Sequence, residues 1–204
     1  EAPLHVPLFL WSAGLVAPGR NDEPARHIDI VPTVLDALGE PAAKNLPGRS
    51  LLGASPAGEA AETYFESLSA AFNRGWAPLR GLMSGAEKYI DLPVPELYQL
   101  SRDPGEKQNL VSERPDSLRR LRRRFLEIPT GPAERSEIGA EEAAKLRSLG
   151  YLTGPGETKK AYGPEDDPKN LIEVDHRLHK VVELFERGRA AEAIPIARRL
   201  VAAG

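Results

Sequence analysis

The stretch Leu4–Ser12, LHVPLFLWS, decides how the rest of the chain reads. It is a nearly continuous apolar run closed by Gly14, the pattern of a strand buried on both faces of a parallel sheet. Pro7 has no N–H to give a ladder, so the regular strand is expected after it. The turn-rich segment SAGLVAPGRNDEPARH follows and leads to DIVPTVLDALG (29–39), which reads as a helix. Asp29 is its expected N-cap, Pro32 falls in the first turn and Gly39 is the stop. Ile30, Val31, Val34, Leu35 and Leu38 recur at helical spacing. Strand, loop and helix in that order make one α/β unit of a larger sheet.

Beyond a connecting loop at 40–61, rich in Pro and Gly, the pattern changes. ETYFESL (62–68), PLRGLMS (78–84), EKYIDL (87–92) and ELYQL (96–100) are short β-prone pieces broken by turn formers, the signature of an antiparallel meander. Asp103-Pro104-Gly105-Glu106 has the spacing of a capping box and predicts a turn or short helix. In PDSLRRLRRRFLEI (115–128), Leu118, Leu121, Phe125 and Ile128 form one stripe that should lie on the small sheet. The five arginines at 119, 120, 122, 123 and 124 then face water. Residues 129–167 read as a linker containing a short helix at EEAAKLRSLG (141–150). A helical pair follows. Leu171–Arg187 puts Val174, Leu178, Val181 and Phe185 on one face; Gly188 breaks it; Ala190–Ala203 resumes through Ala193, Ile196, Ala197 and Leu200. A pair of about 34 residues is the size of one tetratricopeptide unit. One unit cannot bury its own face, so further units are expected downstream.

The 204 residues carry 30 acidic and 27 basic side chains, a net charge of −3. That near balance disfavours a generally basic nucleic-acid binder and an acidic disordered tail. At 41% hydrophobic and 28% charged, the composition is that of an ordinary globular protein. Without cysteine there is no disulfide, thiolate zinc site or cysteine nucleophile within these residues. No apolar stretch approaches the roughly 18 residues of a membrane span, and no signal-type leader is visible. The chain opens at Glu1 and its one methionine is Met83, so it reads as a fragment or processed piece.

Clustered arginines suit phosphates, but an amphipathic helix must put polar groups outside, and no nucleic-acid-reading motif accompanies them. His176, His179 and Glu183 lie on one side of a helix and could ligate zinc; that spacing is common by accident, and no fourth ligand is apparent. His5 and His27 read as structural, although His5 stands near a strand end, where α/β proteins place their sites. No G-x-S-x-G, Walker loop, G-x-G-x-x-G or H-E-x-x-H occurs. Glu66, with Arg74, Trp76 and Arg80 after it, could face a cleft and bind an anion. A surface ion pair between Glu66 and an arginine accounts equally for the same residues.

Taken in order, Glu1 and HVPLFLWSAG, HIDIVPTVLDALG, LPGRSLLG, GLMSGAEKYID and ELYQLSRDPGEKQNL resemble the C-terminal part of a sulfatase of the alkaline-phosphatase superfamily. The resemblance covers residues 1 to about 128, and LRSLGYLTG (146–154) leading into the helix pair resembles sulfatases that end in tetratricopeptide repeats. It implies an α/β fold with the end of a main sheet at 1–61, an antiparallel subdomain with its helix at 62–128, a linker at 129–167 and a repeat-like helix pair at 168–204.

The same resemblance implies hydrolysis of a sulfate ester by a formylglycine hydrate, with a divalent cation, usually Ca2+, polarising the sulfate oxygens. The family's nucleophile motif, Cys or Ser followed by x-Pro-x-Arg, is absent from this chain, as is its metal-binding Asp-Asn or Asp-His before a Gly. Formylglycine and the Ca2+ ligands are therefore expected outside it. Only rim positions carry over: Glu1, His5 and Glu66, with Arg74 and Trp76 beside the last as substrate-binding candidates. The resemblance further implies a sulfate-ester substrate, an exported (periplasmic or extracellular) location and a protein partner for the repeats, with no nucleic acid and no membrane segment in this chain.

Two alternatives stand beside it. The parent enzyme could be a phosphatase, phosphodiesterase or phosphoethanolamine transferase of the same superfamily, because the C-terminal scaffold does not fix the transferred group. From another class, the chain could be a tetratricopeptide-type interaction module with a vestigial enzyme half.

Overall fold

The computed structural model describes residues 6–41, 45–53, 62–129, 159 and 161–203. In chain order they form helix α1 (His27–Ala37), strand β1 (Glu62–Ser67), the short helix α2 (Ser69–Arg74), strands β2 (Leu79–Ser84), β3 (Glu87–Asp91) and β4 (Glu96–Gln99), and helix α3 (Pro115–Glu127). Two 3-10 turns follow at Pro164–Asp166 and Pro168–Leu171, then helices α4 (Ile172–Glu186) and α5 (Ala190–Ala203). The strands make one four-stranded sheet in the order β1-β2-β3-β4, the meander the sequence predicts. The chain divides into two compact units: residues 1–63, 83–88 and 98–109, and residues 64–82, 89–97 and 110–204.

In the first unit the apolar run that opens the chain does not form a strand. Leu4 and His5 lie outside the described residues, and Val6–Ser12 carries no regular structure. Its side chains are exposed, Phe9 by 86% and Trp11 by 90%. A strand buried on both faces exists only through its neighbours. Among the described residues it pairs with no strand: the four strands of the sheet bond only to one another.

Helix α1 forms as expected but starts at His27, with Arg26 as N-cap and Asp29 two residues inside. Asp29 therefore does not cap by its position. It acts from the third helical residue, where Oδ2 accepts the Arg26 backbone N–H at 2.9 Å, the reciprocal half of a capping box. Pro32 lies inside the helix rather than in its first turn. It removes the donor that the Ile28 carbonyl would have used. The backbone of Gly48 packs against that carbonyl, so closely that a Cβ at 48 would overlap it.

In the second unit, α3 lays its predicted stripe on the sheet. Leu82, Tyr89, Leu97, Leu121 and Phe125 are the buried centre, with Tyr64, Leu110, Val111, Leu118 and Ile128 around them. Phe125 meets Tyr89 edge-on at 5.9 Å between ring centroids and stacks on Tyr64 at 6.1 Å. The α3 arginines at 119, 120, 122, 123 and 124 are exposed. Asp103 begins a turn, its Oδ2 accepting from the Lys107 and Gln108 N–H groups at 2.7 and 2.8 Å. The expected helix at 141–150 lies outside the described residues.

Helices α4 and α5 pack on each other across Gly188, which takes a φ of 70° that glycine adopts without strain. Ala193 is buried, and Ile196, Ala197 and Leu200 are half-buried, as the periodicity requires. On α4 the buried residue is Leu184; Phe185 is 69% exposed. The inward face includes Val174, Leu178 and Val181 as predicted, but its last position falls one residue earlier.

Candidate functional site

Of the residues singled out in the sequence, Glu66, Arg74, Trp76 and Arg80 fall into two groups within the second unit. Tyr64 and Glu66 are two apart on β1 and so share a face. Glu66, 43% exposed, accepts a hydrogen bond from the Tyr64 hydroxyl at 2.6 Å. Burial, together with that bond, pushes the Tyr64 hydroxyl up to about 12, so it stays a donor at neutral pH. Arg80 on β2 brings Nε to 3.8 Å from Glu66, an ion pair too long for a hydrogen bond. That Nε is buried and has no hydrogen-bond partner among the described residues. The surface ion pair weighed in the sequence is thus made by Glu66 with Arg80, and Tyr64 holds the carboxylate in place.

Arg74 and Trp76 form the second group. The left-handed Gly75 (φ 68°) ends α2 and lets the chain fold back, so that the Arg74 guanidinium lies 4.9 Å from the centre of the Trp76 ring. The same guanidinium donates to Asp175 of α4. Asp175 also faces His179, whose Nδ1 lies 3.3 Å from its carboxylate. No hydrogen bond or ion pair among the described residues joins this group to Glu66. His5 and Glu1 are outside the described residues.

A third constellation escaped the sequence reading. The Asp167 side chain is fully buried and accepts from the Val94 N–H at 3.0 Å and the Lys169 N–H at 3.0 Å. Lys169 Nζ donates to the Val94 carbonyl at 2.7 Å and pairs with Glu96 at 3.0 Å. The Ala77 N–H donates to the Asp166 carbonyl at 2.9 Å. This clasp pins the segment leading into α4 to the edge of β4. Its signal was present: Asp167-Pro168 repeats the cap-and-proline start of Asp103-Pro104.

In the first unit, Asp29 is a heavily bonded carboxylate. Its side chain is fully buried; Oδ1 accepts from Arg26 Nη2 at 2.8 Å and the Arg49 N–H at 3.0 Å, and Oδ2 from Arg26 Nε at 3.1 Å. Burial alone would raise its pKa, but these donors outweigh it and hold the carboxyl below its ordinary value. Thr33 continues the network, donating to the Asp29 carbonyl at 2.6 Å and accepting from the Leu51 N–H at 3.0 Å. Lys88, almost fully buried, grips both oxygens of Glu106 at 2.8 and 2.9 Å. These are ties between segments, not reactive groups.

Among the described residues no group of three or more His, Cys, Asp and Glu could hold a metal ion. The chain has no cysteine from which a formylglycine could arise. The described residues therefore do not fit the cation that the family resemblance implies, the sequence does not supply the modified nucleophile, and neither enters the chemistry derived for this chain.

No family model matches the sequence. Two relatives do. The chain is 29% identical over 166 residues to arylsulfatase K of Bos taurus and 33% identical over 128 residues to arylsulfatase K of Rattus norvegicus, matches that cover 72% and 57% of the chain. The sequence is sulfatase-like. The matches take in 30% and 23% of those proteins, so the chain spans less than a third of the relatives it matches. Among solved structures, one described as bound to its substrate D-glucosamine-2-N,6-O-disulfate is similar over 48% of this chain and 22% of its own, with 23% identity and a TM-score of 0.39.

Proposed function

We propose that this chain is the C-terminal part of a sulfate-ester hydrolase and is catalytically incomplete by itself. The observation that carries the reading is the match to arylsulfatase K along most of the chain, set beside an apolar run, Val6–Trp11, that lies bare. An apolar segment this exposed is the mark of a surface meant to be covered. In the complete enzyme it is a rib of the main sheet of an alkaline-phosphatase-like fold, with residues 1–61 ending that sheet and 62–128 forming the subdomain beside it. Formylglycine and the Ca2+ ligands come from sequence outside this chain. His5, Glu66, Arg74 and Trp76 lie on the rim of the substrate cleft. Glu66, half-exposed and steadied by Tyr64, is the rim group best placed to meet a substrate hydroxyl. Arg74 is committed to Asp175 and Trp76 and acts by holding the rim in shape.

Residues 129–167 are the connection and 168–204 a tetratricopeptide-type pair; the left-handed Gly188 and buried Ala193 support that assignment. The enzyme is exported to the periplasm or the cell exterior. No described helix is long and apolar enough to cross a membrane.

The test compares this chain with a polypeptide extended to include the sulfatase nucleophile motif, using an aryl sulfate and an aryl phosphate in parallel. Sulfate release by the longer protein alone is the expected result. Turnover by this chain alone, or release of phosphate but not sulfate by the longer one, overturns the proposal.

A further inference from the structure

Two sets of polar contacts tie the helix pair to the sheet, and they differ in kind. The first is the clasp just before α4, where the fully buried Asp167 takes the Val94 N–H and Lys169 reaches Glu96. The second is Arg74 on Asp175, one turn into α4, and there both side chains are more than a quarter exposed. Among the described residues, the buried apolar centre of the sheet and the side chains packed around it include none from α4 or α5. That core fastens α3 to the sheet and leaves the helix pair to its polar ties.

Arg74 and Asp175 each have a second partner within reach. The Arg74 guanidinium lies 4.9 Å from the centre of the Trp76 ring, a contact it keeps whether or not Asp175 is there. Asp175 faces His179 Nδ1 at 3.3 Å, one turn along its own helix. Separating Arg74 from Asp175 therefore strands neither charge, unlike the rupture of a buried pair. A half-exposed pair contributes little and is screened by salt. Asp167, by contrast, holds backbone N–H groups that lose their acceptor if it moves.

Position supplies the leverage. Asp175 stands near the base of α4, and Glu186 at its far end lies about 16 Å further along at 1.5 Å per residue. Freeing the base moves that far end, together with the α5 helix packed on it. We propose that α4 and α5 form a hinged arm, with the Asp167 clasp as its pivot and the Arg74–Asp175 pair as a latch that salt opens without unfolding either side. Latched, the Arg74 charge is met by a carboxylate of the arm; open, the guanidinium on Trp76 faces solvent. The inference goes beyond the hydrolase reading and does not depend on it, because its test follows the position of the helices and not turnover.

The chain has no cysteine, so spin labels attach only where a cysteine is introduced. Arg123 on α3 and Ala202 on α5 are both exposed, and double electron–electron resonance between labels at Arg123→Cys and Ala202→Cys follows the arm in the whole chain. At low ionic strength one narrow distance is expected. Asp175→Asn should add a second component, with the open fraction rising about threefold or more. In the parent, 1 M NaCl, where the screening length is about 3 Å, should do the same, and it should add little to Asp175→Asn. The swap Arg74→Asp/Asp175→Arg should restore the narrow distance, while Lys180→Gln, which loses a pair within α4, should leave it unchanged. The proposal fails if neither Asp175→Asn nor high salt alters the distance, or if Lys180→Gln alters it as much. It fails equally if the swap does not restore it, or if the change comes with a loss of helix by circular dichroism.

Discussion

Replacing Asp29 by asparagine keeps the shape of the side chain and removes its charge and one acceptor. Each Asp29 oxygen takes two bonds, so whichever way the amide turns, two donors lose their acceptor and face an N–H₂ group instead. Bonds to a charged partner are worth about 1.5–3 kcal/mol each. The Arg26 side chain is 16% exposed and recovers part of this through water, which leaves a net loss of about 3 kcal/mol. At 1.4 kcal/mol per decade, that is about a hundredfold rise in the opening of α1 and the loop over it. The assay is amide hydrogen exchange read at Arg49 and Leu51, whose N–H groups bond to Asp29 and Thr33. Asp36→Asn is the control, since Asp36 is exposed and its carboxylate takes one hydrogen bond among the described residues, from Ser50 Oγ at 2.5 Å. Protection in Asp29→Asn that stays within about threefold of the parent, or a loss no larger than that in Asp36→Asn, refutes the argument.

Three further outcomes follow from other contacts. Asp29 and Glu106 both sit below their ordinary values: burial raises each, but Arg26 and the Arg49 N–H for the first and Lys88 for the second outweigh it. Their stabilisation is complete above the unfolded carboxylate range of about 4 and is lost as the pH falls through the folded values. The urea midpoint should therefore drop on acidification, more steeply in the parent than in Asp29→Asn; a flat acid limb contradicts this. Gly48→Ala drives a methyl into the Ile28 carbonyl and should cost about 2 kcal/mol or more, while Gly53→Ala, which meets nothing, should melt within a degree or so of the parent. Asp167→Ala takes the carboxylate acceptor from the Val94 and Lys169 N–H groups, a loss of about 2 kcal/mol. Exchange at the Val94 amide should speed up far more than at Leu121 in the α3 core, and equal effects at both would show that no local clasp exists.

Where local chemistry decides structure, the sequence was sufficient. The four strands are short β-prone pieces divided by turn formers, and α3 carries a clean stripe, so both form with boundaries within a residue or two. Where partners decide, it was not. Leu4–Ser12 has the composition of an interior strand, but strand formation is a property of a pair, and its described residues pair with no strand. The start of α1 was displaced because an acid inside the first turn resembles a cap in the sequence; only the Arg26 N–H reaching Asp29 identifies its role. Residues 161–171 look like linker in composition, yet Asp167 and Lys169 tie them to Val94 and Glu96, more than seventy positions away. Of the candidate residues, Glu66 and an arginine were legible as a pair because neighbouring strands bring them together. Arg74 and Asp175 are 101 positions apart, and nothing local announces their contact.

The chain has two tryptophans, and they differ sharply in setting. Trp11 stands 90% bare in the apolar run, while Trp76 is half-buried beneath a guanidinium. Their fluorescence should separate into a red-shifted component open to soluble quenchers and a shielded one. Any polypeptide that clothes the first segment would extinguish the quenchable fraction and leave the other untouched, so Trp11 is a built-in optical gauge of whatever covers that segment.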